Sequence, residues 1–191
     1  DQYKEGQFRM DFENTGRANR KRRIFLDTET TGMSQATDRI VEVCAIEVDD
    51  DFNEIDSFHA FINPQENAMF VTRIHGLNNK FLDDKPIFFD IGRDLLLFLE
   101  GSELGLITWP LMPNAECRIH TQPTADIGKV DCRLNCTLQS REALPRAKEF
   151  IGALLDRFSI DRSDRKLHGA MIDTRLLVKV YQNLVSYKTQ K

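Results

Sequence analysis

The sequence predicts an α/β domain, a mixed sheet of about five strands flanked by helices. Three observations carry this. Residues 23–62 hold three apolar, strand-like runs separated by short polar turns. A helical stripe beginning near Pro86 is followed by a fourth strand-like run at 103–108. Two more helical stripes follow, at 150–158 and 170–185. A chain of 191 residues is long enough for one domain with a sizeable core.

Residues 1–22 read as a flexible arm: polar, aperiodic, and basic at its end through Arg17, Arg20, Lys21 and Arg22, with Arg23 following. The alternative reading is a tail that touches phosphate. The domain is placed at 23–187. Strand one spans 23–28. The run at 39–48 is mostly apolar on both faces, which suits a central strand covered by helices. After a turn at 49–54, a third strand runs from Ile55 to Ile62, and Pro64 stops it. Short turns between three strands predict an antiparallel meander. A short helical piece at 67–74 ends in His75-Gly76, with glycine as the C-cap. Asp84-Lys85-Pro86 opens a strong helix with proline in its first turn, and Phe88, Ile91, Leu95 and Phe98 form its apolar stripe. Gly101 ends it. The strand at 103–108 returns after a helix and is expected to run parallel to its neighbour. In the final helix the stripe is Ile172, Leu176, Val180 and Leu184. Residues 105–152 are atypical: no period persists, and prolines interrupt the segment.

Net charge is −4, so the chain is not a generally basic nucleic-acid binder. Any such contact must come from a local basic patch or from metal ions. No apolar run is long enough for a membrane helix, and no apolar signal core stands at the start, which points to the cytoplasm and to no membrane partner. Of the four cysteines, Cys132 and Cys136 have metal-like spacing, but no partner pair accompanies them, and free thiols are expected.

The chemistry concentrates in Ile24-Phe25-Leu26-Asp27-Thr28-Glu29-Thr30-Thr31-Gly32. In a strand, alternate side chains share a face, so Asp27 and Glu29 project together. Two carboxylates held that close repel unless a cation sits between them, and a hard divalent ion is the natural occupant. A solvated acidic turn is the plainer alternative. A second acid, Asp173, opens the last helix five residues after His168. By chemistry alone these two could be a capping residue and an acid favoured by the helix dipole.

Asp-x-Glu-Thr-Thr-Gly after an apolar strand resembles the first motif of the DnaQ-like (DEDD) 3′→5′ exonucleases. Leu167-His168-Gly169-Ala170-Met171-Ile172-Asp173 is similar to that family's L-H-G-A-x-x-D, the mark of its histidine-bearing (DEDDh) branch. The wider context most resembles the epsilon type that proofreads for bacterial DNA polymerase III. The resemblance implies a ribonuclease H-like fold and hydrolysis with two Mg2+ or Mn2+ ions. Asp27 would bridge both ions, Glu29 and Asp173 would each help hold one, and His168 would take the proton from the attacking water. Thr28, Thr30, Thr31, Gly32 and His75 would face the substrate, a single-stranded or frayed DNA 3′ end. The DNA polymerase III catalytic subunit is the implied partner. A related RNA-trimming exonuclease is the alternative within the family, because phosphodiester hydrolysis is alike in both.

The resemblance fails in the middle. The family's H-N-A-x-[FY]-D follows its fourth strand, whereas Thr108-Trp109-Pro110-Leu111-Met112 stands here, and Asp126 has none of the motif around it. A shifted reading frame is one explanation. Glu149-Phe150-Ile151-Gly152, coded GAA TTC ATT GGA, reads Asn-Ser-Leu one base later, as in the epsilon-type N-S-L-D-A-L. TGG CCC CTT ATG for Trp109 to Met112 likewise contains Ala-Pro-Tyr. Without the middle aspartate, the expectation is an impaired nuclease or a non-catalytic domain that binds DNA ends or a polymerase subunit.

Overall fold

The computed structural model of the chain describes residues 22–32, 37–66, 72–106, 133–136 and 151–189. Its strands are β1 (Arg22–Thr30), β2 (Ile40–Val48), β3 (Glu54–Phe61), β4 (Ser102–Leu106) and β5 (Arg133–Cys136). Its helices are α1 (Thr72–His75), α2 (Asn79–Leu82), α3 (Phe88–Leu99), α4 (Ile151–Arg157) and α5 (Ala170–Thr189). The sheet order is β3-β2-β1-β4-β5. β1 pairs antiparallel with β2, and β2 with β3, which is the expected meander. β4 lies parallel to β1 after the α3 crossover, as expected, and the short β5 lies parallel to β4.

Strand alternation divides the core. Ile24, Val43, Ala45 and Leu104 point to one face, where Phe88, Leu95, Phe98 and Leu99 of α3 cover them. Phe25, Cys44, Ile46 and Val48 point to the other, under Ala170, Leu177 and Val178 of α5. Tyr181 meets the Phe25 ring edge-on at 5.2 Å. α4 closes the outside of α5 through Leu154 and Leu155 against Leu176, Val180 and Leu184. This arrangement decides the site. Asp27 and Glu29 continue the Phe25 face of β1, so they emerge beneath α5.

Several expectations are corrected. β1 begins at Arg22, inside the expected arm. Arg22 is buried, donates from Nε (3.1 Å) and Nη2 (2.8 Å) to Glu47, and reaches the carbonyls of Phe98 and Glu100. The Arg23 guanidinium lies 5.1 Å over the Phe52 ring. Both basic groups therefore serve the fold, whatever residues 1–21, outside the described residues, do. Pro86 stands before the helix rather than in its first turn, because Ile87 is the N-cap and its N–H is taken by Asp90. Of the apolar stripe, Leu176, Val180 and Leu184 are buried as read, whereas Ile172 is 37% exposed and Asp173 and Leu177 join the buried side of α5. The helical piece expected at 67–74 is described only as α1, and α2 follows it unannounced. β5 lies in the stretch where no period was legible. Cys44 is a free, buried thiol, pushed up to about 12 by burial; Cys117 and Cys132 lie outside the described residues.

Candidate active site

The acidic pair sits where β1 leaves the sheet. A register irregularity after Glu29 turns the chain, and the Thr31 N–H donates to the Arg39 carbonyl while the Thr31 hydroxyl accepts the Arg39 N–H, fixing the turn. The Thr31 hydroxyl also donates to Glu66 at 2.8 Å. Asp38 packs closely on Gly32: a Cβ there would lie 2.5 Å from an Asp38 carboxylate oxygen and would displace that side chain. Thr30 donates to the Gly32 carbonyl. Thr28 faces Val43 in the register, with its side chain on the sheet face opposite the acids.

α5 supplies the second half. Its first turn is pinned to the sheet by Glu42, a buried carboxylate on β2 directly across from Glu29. One Glu42 oxygen accepts the Ala170 N–H at 3.0 Å, and the other meets His59 Nε2 at 2.8 Å. The Thr174 hydroxyl adds a bond to the Cys44 carbonyl. Asp173 is thereby held over Glu29. Glu29, His168 and Asp173 each place a possible ligand atom within 4.8 Å of the other two. Asp27 belongs to the same electrostatic cluster. Burial and the Asp173 charge raise its pKa to about 7, and burial with the charges of Asp27 and Asp173 raises that of Glu29 to about 8. Such a cluster has a deficit of positive charge, and its all-oxygen carboxylate donors with one imidazole match a hard divalent cation.

His168 precedes α5, half exposed, with its backbone N–H on the Ile74 carbonyl at 3.0 Å. That bond joins its loop to α1, where His75 and Gly76 follow. Gly76 has φ +78°, the left-handed conformation expected of a helix-ending glycine. His75 is buried, and its Nδ1 accepts the Leu77 N–H at 3.0 Å. Its Nε2 finds no hydrogen-bond partner among the described residues. Burial, foremost, holds this imidazole below its usual pKa.

Of the sequence-predicted residues, Asp27, Glu29, His168 and Asp173 converge, with His75 on the adjoining turn. Thr28, Thr30, Thr31 and Gly32 shape the strand and turn that present them. Two residues were missed. Glu42 was visible as one of two carboxylates, with Glu47, inside a mostly apolar strand. Arg165 gave no such sign. Its Nε and Nη2 lie 2.6 and 2.8 Å from the two Asp173 oxygens, and Nη2 is 3.0 Å from His168 Nδ1. The middle-motif region and Asp126 lie outside the described residues.

Comparison with known proteins meets this geometry. The exonuclease family model matches residues 24–181. DNA polymerase III subunit epsilon of Rickettsia felis is 36% identical over 168 residues, covering 85% of this chain and 73% of the relative. The chain belongs to this exonuclease family, among its DNA polymerase III epsilon subunits. The epsilon subunit of Buchnera aphidicola subsp. Acyrthosiphon pisum is also 36% identical, over 180 residues, with 85% and 72% covered. Among solved structures, exonuclease X in complex with 5′ overhanging duplex DNA superposes with a TM-score of 0.64 at 20% identity, covering 87% of this chain and 93% of that one. A 3′-exonuclease solved with the histone mRNA stem-loop gives 0.66 at 13% identity, with 87% and 82% covered. The fold is ribonuclease H-like, a mixed sheet flanked by helices. No helix among the described residues is long and apolar enough to cross a membrane.

Proposed function

We infer that this chain is a metal-dependent 3′→5′ exonuclease of the proofreading type, hydrolysing nucleotides from DNA 3′ ends. Family membership supports the reaction class. The observation that carries the reading is the convergence of Glu29 and Asp173 with His168, beside Asp27, whose pKa is raised by burial and by its acidic neighbours. Asp27, Glu29 and Asp173 would hold two Mg2+ or Mn2+ ions. Bound there, the ions would supply Lewis-acid activation of the scissile phosphate and of water. His168, half exposed, can meet that water, and its imidazole would accept the proton. The exposed Ile74 and Leu167, on either side of the His75 turn, suit the terminal nucleotide as an apolar platform, with His75 supporting that turn. Thr30, Thr31 and Gly32 belong to the same proposal through the turn they form; Thr28, whose side chain lies on the opposite sheet face, enters it only through the β1 backbone between Asp27 and Glu29.

The partner in this reading is the DNA polymerase III catalytic subunit, and the compartment is the cytoplasm. DNA is favoured over RNA by the epsilon relatives. One sequence observation favours a second reading, a weak or inactive domain that binds DNA ends or a polymerase subunit. The H-N-A-x-[FY]-D motif is absent from 105–152. A site short of one carboxylate would hold one ion poorly.

Incubation of 5′-labelled single-stranded DNA with Mn2+ separates the readings. Shortening from the 3′ end that Asp27→Ala and Asp173→Asn both abolish supports the enzyme. Intact DNA, retained on the protein, supports the binding domain. The coding DNA decides the frame: the shift is excluded if no alternative frame restores the middle motif.

A further inference from the structure

We propose that Arg165 competes with the divalent ion for Asp173: the guanidinium keeps the site assembled while no metal is bound, and must release this carboxylate when metal enters. The inference rests on the metal-dependent reading above. It makes Arg165 a positioning residue, acting through Asp173 and His168.

The contact uses both carboxylate oxygens. Nε lies 2.6 Å from Oδ1 and Nη2 lies 2.8 Å from Oδ2, a bidentate fork. Water screens it little, since the two side chains are 11% and 6% exposed. The same Nη2 sits 3.0 Å from His168 Nδ1, so one planar cation spans the acid and the imidazole. Glu29, His168 and Asp173 are the groups that come within 4.8 Å of one another as possible ligands. A cation among them must take an Asp173 oxygen that the fork already holds, and must face a positive charge at contact distance. Both effects weaken its binding.

Arg165 is placed to yield. It lies in the loop before α5, where its N–H is bonded to the Arg162 carbonyl, while Asp173 is fixed in the helix by its bond to Gly169 and by the Glu42 clamp on Ala170. The fork can swing away with its loop or rotamer while Asp173 stays. Without a metal, removing the fork leaves Asp27, Glu29, Glu42 and Asp173 facing one another with less counter-charge.

The test is Mn2+ binding to the full chain by isothermal titration, with melting in EDTA alongside. Arg165→Gln is expected to bind Mn2+ at least about tenfold more tightly than the parent, to melt at lower temperature in EDTA, and to gain more from added Mn2+. Arg165→Lys keeps the charge but cannot hold both oxygens; it is expected to fall between the two, and it carries the test if Arg165→Gln does not fold without metal. Unchanged or weaker affinity in the folded variants, with parental binding intact, overturns the proposal. Failure of the parent to bind Mn2+, or binding that survives Asp173→Asn, overturns the metal-site reading itself.

Discussion

Replacing Asp27 by Asn should stabilise the metal-free protein while destroying its activity. Burial and neighbouring acids raise the Asp27 pKa from 3.8 to about 7 in the fold. The unfolded chain releases that proton near the lower value, so between about pH 4 and 7 the native state binds more protons. Stability is therefore full below about pH 4, falls as pH rises, and is lowest above about 7. Each unit corresponds to about 1.4 kcal/mol, so about three units set a ceiling near 4 kcal/mol. Neighbours share that strain, and the new amide needs partners of its own, so the expected gain at pH 8 is about 1–3 kcal/mol. For a domain of this size each kcal/mol moves the melting temperature by about 2–4 °C. Thermal and urea melts of parent and Asp27→Asn in EDTA, at pH 4 and pH 8, measure it. The gain should appear at pH 8 and nearly vanish at pH 4. A loss of stability at pH 8, or an effect equal at both pH values, would refute this electrostatic picture of the site.

Other outcomes follow from the same structure. Mn2+ affinity should rise from pH 6 to pH 8 with release of protons, because Asp27 and Glu29 hold theirs to about 7 and about 8; titration calorimetry in buffers of different ionisation enthalpy detects the release, and a pH-independent affinity would contradict it. Arg22→Met should cost about 3–5 kcal/mol in urea unfolding, because it removes the buried guanidinium that holds the buried Glu47 carboxylate, and Glu47→Leu on top should recover most of the loss. Gly76→Ala should cost about 1–2 kcal/mol, since φ +78° is unfavourable for alanine and the new methyl would meet Leu167 at 2.8 Å.

The parts legible in the sequence were those set by short-range periodicity. Period two in β1 put Asp27 and Glu29 on one face, and polar turns between apolar runs gave the meander. The α3 stripe at Phe88, Leu95 and Phe98 packs as read. What escaped depends on contacts distant in sequence. Ile172 continues a helical stripe whose Leu176, Val180 and Leu184 are buried, but at the start of α5 it is Asp173 that faces inward. Arg22 looked like the end of a basic arm because nothing local reveals that Glu47 awaits it across the sheet. Arg165 likewise reads as one more charge in a polar loop; its role appears only when α5 brings Asp173 beside it. Glu42 was the one missed site residue with a local sign, a charge within a mostly apolar strand.

A 3′-mismatched primer with a 5′ label tests the central claim most directly, digested with Mg2+ or Mn2+ beside the Asp27→Ala protein. Metal-dependent removal of the mismatched nucleotide as a 5′-mononucleotide, faster than from a paired end and absent in the variant, is the expected result. A primer left at full length by the folded, metal-binding parent would contradict it, and would leave a domain that keeps the exonuclease fold without its chemistry.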